Sequence, residues 1–158
     1  MSNSLLISIK AQQLDYLHNH KTIASFPVST SKHGTGNQNN SFKTPLGLHK
    51  IKLKIGKNCP VNTVFKSRRP TGYIYRPEYK QVKKDWILTR ILWLQGLEPN
   101  INSGKGIDSL RRFIYIHGTP DSEPMGTAKS HGCIRMCNID IIKLFDLVSV
   151  DTLVEIKL

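Results

Sequence analysis

This sequence predicts a mostly β domain, a sandwich of two sheets with one main short helix near the C-terminus. Three observations carry that expectation. Apolar and polar residues alternate at period two along several short runs, clusters of Gly, Pro, Asn and Ser separate those runs, and convincing helical periodicity occurs once, after residue 137. Many short strands with a single helix can bury their apolar faces by packing sheet on sheet.

The chain opens on short strands. Leu5, Ile7 and Ile9 alternate with Leu6, Ser8 and Lys10, and Gln13 to Leu17 continues the pattern. His18-Asn19-His20-Lys21 then reads as a hairpin turn into Thr22–Val28. Residues 31–41 are rich in Gly, Asn, Ser and Thr and read as a long exposed loop, ended by Pro45 and Gly47. Lys50 to Ile55 alternates lysines with Ile51, Leu53 and Ile55, which predicts a half-buried strand whose solvated basic face blunts an edge. Residues 56–84 carry Pro60, Pro70, Gly72 and Pro77 among Arg68, Arg69, Tyr73, Tyr75, Arg76 and Tyr79, without clean periodicity. Such an insertion is either a flap over a site or a structural excursion. Strands are expected around Trp86–Leu94 and Phe113–His117; in the second, Phe113, Tyr115 and His117 share one face and Ile114 and Ile116 the other. Asn138 is the expected N-cap of a helix through Ile139, Ile142, Phe145 and Leu147 or Val148, and Thr152–Leu158 makes the last strand.

A chain of 158 residues predicts one domain, 1–158, with enough length for one sizeable core. No apolar run is long enough to span a membrane. Leu5–Ile9 is interrupted at once by Lys10, and residues 1–4 carry no basic side chain, so the start reads as a strand and not as a secretory signal. With Met1 as the native start, the expectation is a cytoplasmic protein; if the chain has been trimmed there, it is periplasmic. Cys59, Cys133 and Cys137 are odd in number and suggest no disulfide framework, which agrees with a reducing compartment. A net charge of +12 and a pI near 9.8 attract polyanions and acidic small ligands alike. No recognisable nucleic-acid fold or aromatic-basic platform accompanies that charge, so no nucleic-acid partner is expected.

The chemistry concentrates in Ile116-His117-Gly118-Thr119 and Ser130-His131-Gly132-Cys133-Ile134-Arg135. Cysteine attacks as its thiolate, and an imidazole can take the proton and return it to a leaving amine. Cys133 is therefore the candidate nucleophile and His117, at a strand end, the candidate base. A histidine partner is expected to favour the thiolate and lower the Cys133 pKa. Gly132 allows a tight turn, so the Gly132 and Cys133 N–H groups are candidate oxyanion donors. His131 shares a face with Cys133 in an extended segment and ranks as supporting. Ser130 is expected to bond the local backbone or the site histidine, and Arg135 to clamp a substrate carboxylate or hold the loop through carbonyls. His117, His131 and Cys133 are residue types that zinc favours, yet no fourth ligand stands at familiar spacing and no glutamate adjoins a histidine. No metal is expected.

The order His-Gly-Thr, a short polar loop, then Ser-His-Gly-Cys-Ile-Arg resembles the signature of the L,D-transpeptidase (YkuD-type) catalytic domain. Lys43-Thr44-Pro45-Leu46-Gly47 resembles that family's Thr-Pro-x-Gly turn, and the Trp86–Leu94 and Arg111–His117 segments resemble strands leading to its active site. The resemblance covers nearly the whole chain, roughly Leu5 to Leu158. It implies a two-sheet β fold and no cofactor. The implied substrates are peptidoglycan stem peptides or soluble muropeptides, and carbapenem-type inhibitors are expected to acylate Cys133. At the position of Arg135 the family carries asparagine in many members and arginine in others. The implied reaction is attack of Cys133 on the carbonyl of the third stem residue, with loss of D-alanine and a thioester left behind. Water then gives a tripeptide, an L,D-carboxypeptidase reaction suited to muropeptide recycling; an amine from another stem gives a 3-3 cross-link. The expected cytoplasmic location favours the first. The reading from another class is a basic module that holds polyanions without chemistry.

Overall fold

A computed structural model describes residues 2–158. The strands are β1 Asn3–Ser8, β2 Gln13–His18, β3 Lys21–Pro27, β4 Gly47–Ile55, β5 Thr63–Lys66, β6 Arg69–Ile74, β7 Leu88–Gly96, β8 Tyr115–Gly118, β9 Ile134–Met136 and β10 Leu153–Lys157. Helix α1, Asn138–Leu147, is the one α-helix among the described residues, and Pro77–Gln81 forms a 3-10 turn. The mostly β architecture with a main helix late in the chain is the one the sequence predicts.

Hydrogen bonding links the strands in the order β3-β2-β1-β10-β4-β7-β5-β6, with β8 on β7 and β9 parallel to β8. The packing is that of a sandwich. Leu5, Ile7, Leu14, Val154 and Ile156 from one half meet Leu92, Leu94, Ile116, Ile134 and Met136 from the other, and α1 adds Ile141, Leu144 and Phe145 to the same cluster. Period-two alternation on both halves supplies these apolar faces. At about 25 cal/mol per Å² of buried apolar surface, this cluster is the main source of stability.

Two expectations need correction. β4 is not an edge strand, since it pairs with β10 and with β7. A register shift between Ile51 and Leu53 interrupts its alternation, so Ile51 is buried while Leu53 is exposed. A bulge turns the residues after it to the other side. Lys54 accordingly lies over the Phe145 ring and donates to the Val148 carbonyl at the end of α1. The second correction concerns the helix. Cys137, with extended backbone, occupies the N-cap position, and Asn138 is the first helical residue. Helix burial falls on Asn138, Ile141, Leu144 and Phe145, whereas Ile139 and Leu147 are exposed.

The aperiodic 56–84 region contains β5, β6 and the 3-10 turn. Tyr75, Tyr79 and Trp86 pack on one another, with Tyr75 against Trp86 edge to face at 5.1 Å. At the β5–β6 turn, Arg68 lies over the rings of Trp93 and Phe113 and donates to the Tyr115 hydroxyl at 3.1 Å. Cation–π contacts of this kind fasten the hairpin to the strands that carry the candidate site.

Candidate active site

His117 and Cys133 come together because β8 and β9 are adjacent and parallel. The register sets His117 opposite Arg135 and Ile116 opposite Ile134, so Cys133 precedes β9 beside Tyr115. The Tyr115 N–H donates to Cys133 Sγ at 3.3 Å, and the Cys133 S–H donates to the Phe113 carbonyl at 3.3 Å. Phe113 holds φ at 56°, a left-handed conformation rare for a bulky residue, just before β8 begins. Its carbonyl is thereby an acceptor for the thiol.

His117 is fully buried. Its Nδ1–H donates to the Gly118 carbonyl at 2.6 Å, which fixes the tautomer and leaves Nε2 as the unprotonated nitrogen. Nε2 is buried without a hydrogen-bond partner. Gly118 is glycine for a steric reason. A Cβ there would lie 2.5 Å from the Leu88 carbonyl oxygen and 2.6 Å from Asn138 Oδ1. Asn138 reaches this spot because it does not cap α1; its amide donates to Asn62, to the Thr119 carbonyl and to Asp121.

The turn before Cys133 is held from three sides. Gly132 has φ 128°, which L side chains rarely adopt. Thr44 Oγ1 donates to its carbonyl at 2.9 Å, and Ser130 Oγ accepts its N–H at 3.2 Å while donating to the Cys133 carbonyl at 2.6 Å. Thr44 and Ser130 are both fully buried. The Gly132 N–H is thus engaged within the turn. His131 is exposed and lines both cavities beside the site.

Arg135 is nearly buried and bound to two acids. Its guanidinium meets Asp85 at 2.6 Å and Glu123 at 3.6 Å. Sequence reasoning missed Asp85, and only its neighbour Trp86 entered the strand pattern. Asp85 joins the site through its ion pair with Arg135 on β9, beside Trp86, which packs on Tyr75 and Tyr79.

Electrostatics keep both principal groups neutral. Burial pushes the Cys133 thiol up to about 12, and the Asp85 charge adds to the rise, against the Tyr115 N–H, Arg135 and Arg112. This overturns the expectation of a lowered thiol pKa. Burial lowers His117, opposed by the Asp85 charge and the Gly118 carbonyl, with Arg135 lowering it further. Burial works to raise Asp85, but the His117 imidazole when it is protonated, together with the charge and hydrogen bond of Arg135, outweighs it and holds the carboxyl below its ordinary value. A neutral thiol and a neutral imidazole on adjacent strands can react by moving one proton as the S–C bond forms.

Two cavities flank the site. A pocket of about 270 Å³ is lined by Cys133 with Asn39, Asn40, Phe42, Arg112 and His131, among others. A larger groove of about 960 Å³ lies alongside, walled partly by Tyr75 and Trp86, and shares Phe42, Arg112 and His131 with the pocket. Among the described residues no group of three or more His, Cys, Asp or Glu side chains is placed to hold a metal ion. No described helix is long and apolar enough to cross a membrane.

Comparison with known proteins agrees with this fold. The chain is similar to solved L,D-transpeptidases from Mycobacterium smegmatis (18% identity, TM-score 0.61, covering 99% of this chain and 59% of that one) and Xylanimonas cellulosilytica (15%, 0.63, 99% and 60%). It is also similar to L,D-transpeptidase 3 from Mycobacterium tuberculosis, solved in complex with a faropenem-derived adduct (13%, 0.58, 99% and 60%). At these identities the likeness is one of fold, and the chain spans about 60% of the length of those structures. A search of curated proteins found no match. The model of the YkuD L,D-transpeptidase catalytic domain matches residues 2–156, and the chain belongs to that family.

Proposed function

We propose that this chain is a cysteine acyl-transfer enzyme acting on peptidoglycan stem peptides. Cys133 is the nucleophile and His117 the proton carrier. The observation that carries this reading is the buried, unpartnered Nε2 of His117, one strand away from a cysteine at the floor of an open pocket. Burying an acceptor without a partner costs about 1–3 kcal/mol, a cost that chemistry at Nε2 accounts for. In the reaction, the Cys133 proton passes to Nε2 as sulfur adds to the carbonyl of the third stem residue. The C–N bond then breaks, the leaving D-alanine amine takes the proton, and a thioester remains. The backbone N–H of Cys133 supports the oxyanion, since that of Gly132 is engaged by Ser130. Ser130 and Thr44 hold the turn, and His131 lines the entry.

For the acceptor, we favour water and hence an L,D-carboxypeptidase that trims soluble muropeptides. The pocket of about 270 Å³ at Cys133 suits a departing amino acid followed by water. Mass spectrometry of purified protein with disaccharide-tetrapeptide, with and without an added D-amino acid, tests both levels. Tripeptide is the expected product. Cross-linked dimer, or D-amino-acid exchange with little tripeptide, would make the enzyme a transpeptidase. A carbapenem-type inhibitor is expected to add to Cys133, detected as an intact-mass increment that Cys133→Ala loses.

A further inference from the structure

The groove of about 960 Å³ is lined by Lys32, Lys80, Lys83, Lys84, Lys129 and Arg112. These come from separate segments: the loop after β3, the 3-10 turn with the stretch that leads to Trp86, the residue before Ser130, and the approach to β8. The groove's two acids, Asp85 and Glu123, are both committed to Arg135. Among the described residues, none of the five lysines is in an ion pair. Lys84 is further fixed by the Trp86 ring, 4.3 Å from its Nζ. Like charges gathered on one concave wall repel one another, and low-dielectric walls focus their field into the groove. An entering anion relieves that repulsion. Arg135 meanwhile is paired with both acids, which leaves the lysines as the groove's unpaired ammonium groups among the described residues.

We propose that this groove binds a polyanionic segment of the acyl donor, a peptide portion with at least two free carboxylates, and so selects unblocked acidic stems. The proposal rests on Cys133 being the nucleophile. The shared wall of Phe42, Arg112 and His131 joins the groove to the pocket at Cys133, so a donor can lie across both. The lysine ammonium groups act through charge on substrate binding, not on the reacting bond.

Steady-state kinetics with tetrapeptide donors, free or amidated at their side carboxylates, test this over a range of salt. The triple variant Lys80→Gln/Lys83→Gln/Lys84→Gln is compared with Lys10→Gln/Lys52→Gln/Lys157→Gln, an equal loss of charge from exposed sites outside the groove. The groove variant is expected to raise KM on the order of tenfold with little change in kcat. Amidating the donor should raise wild-type KM similarly, and salt should raise it for wild type far more than for the groove variant. Equal KM in wild type and groove variant overturns the proposal, as does an equal rise in the distant variant. Pyrophosphate serves as a phosphate probe by calorimetric titration. If it binds the groove and amidation leaves KM unchanged, the groove takes phosphate and the carboxylate assignment falls. Absence of turnover on every donor overturns the reading of Cys133; pyrophosphate binding that is unchanged in the groove variant overturns the groove as an anion site.

Discussion

Among the described residues two histidines are fully buried, and they sit in regions of opposite character. His49 on β4 has both nitrogens engaged: Nδ1–H donates to the Gly47 carbonyl at 3.0 Å, and Nε2 accepts from Ser109 Oγ at 2.8 Å. Glu98 and Asn102 brace the same region through the Leu48 N–H and the Leu46 and Leu48 carbonyls. A serine, a histidine and a glutamate thus lie together, yet Ser109 is sealed and neither cavity beside the candidate site includes it. His117 has one nitrogen engaged and one left bare. Burial depresses both pKa values. Burial and a shifted pKa therefore do not distinguish a structural histidine from a reactive one. The unspent hydrogen-bonding capacity does, on a strand adjacent to a cysteine that lines a pocket.

The largest expected effect lies at the reactive end. Cys133→Ala should lower turnover by at least about 10³-fold with unchanged thermal unfolding, since the covalent route is lost. Cys137→Ala, measured in parallel, should retain most activity. Equal losses in both variants would refute the assignment of the nucleophile.

Replacing each histidine by glutamine sharpens the contrast. His117→Gln should cost about 10²–10⁴ in kcat while altering thermal unfolding little. His49→Gln should do the reverse, destabilising by about 1–3 kcal/mol through unmet partners and leaving kcat near wild type. A His49 variant that folds normally and loses turnover would break the distinction.

Acid stability separates the two regions as well. His49 titrates near 6.5 when unfolded and about 4 when folded, because burial outweighs the Gly47 carbonyl and Glu98. The unfolded chain therefore binds the proton more readily between those values. The contribution of neutral His49 is fully present above pH 6.5 and is lost as pH falls toward 4, on the order of 3 kcal/mol in all. Urea unfolding from pH 7 to 4 should show this slope in wild type and a flatter one in His49→Gln. Thiol reactivity gives the matching readout at the site. With the Cys133 thiol near 12, alkylation of the free enzyme should climb steadily with pH through 8–10 without a plateau. A plateau near neutrality would mean a preformed ion pair.

Much of the scaffold is legible in the sequence. Alternation marks β1, β2 and β10, each with one apolar face on the shared core, and β4 up to its register shift; β7 and β8, buried on both faces, show as apolar runs. The hairpin β5–β6 is not legible, since β6 is exposed throughout and has no apolar face to announce it. Strand β9 is three residues long and buried, too short to show a period. Of the candidate site, the His-Gly and Ser-His-Gly-Cys segments are visible as motifs. Thr44 reads as part of a turn, although its hydroxyl holds Gly132 across 88 positions of sequence. Asp85 carries no local signal at all, because its role depends on an ion pair with Arg135, 50 positions away in sequence. Arg135 is visible, but its neutralisation by Asp85 and Glu123 is not.

Asp85 supports the smallest and most specific prediction. Its carboxylate opposes the burial that lowers His117, and it adds to the rise of the Cys133 thiol. Asp85→Asn keeps the shape and removes the charge. The Cys133 pKa should then fall, so alkylation at a fixed pH becomes faster. The imidazolium formed during turnover loses its nearby counter-charge, so kcat should drop, by about tenfold or less. Arg135 would keep only the 3.6 Å contact with Glu123, with a modest loss of stability because Asp85 is partly exposed. A general loosening of the fold would slow turnover and speed alkylation of Cys59 and Cys137 as well. A change confined to Cys133, together with slower turnover, identifies Asp85 as a group that acts on the site through its charge. Alkylation and turnover that fall together would instead show that Asp85 acts only by holding Arg135 in place.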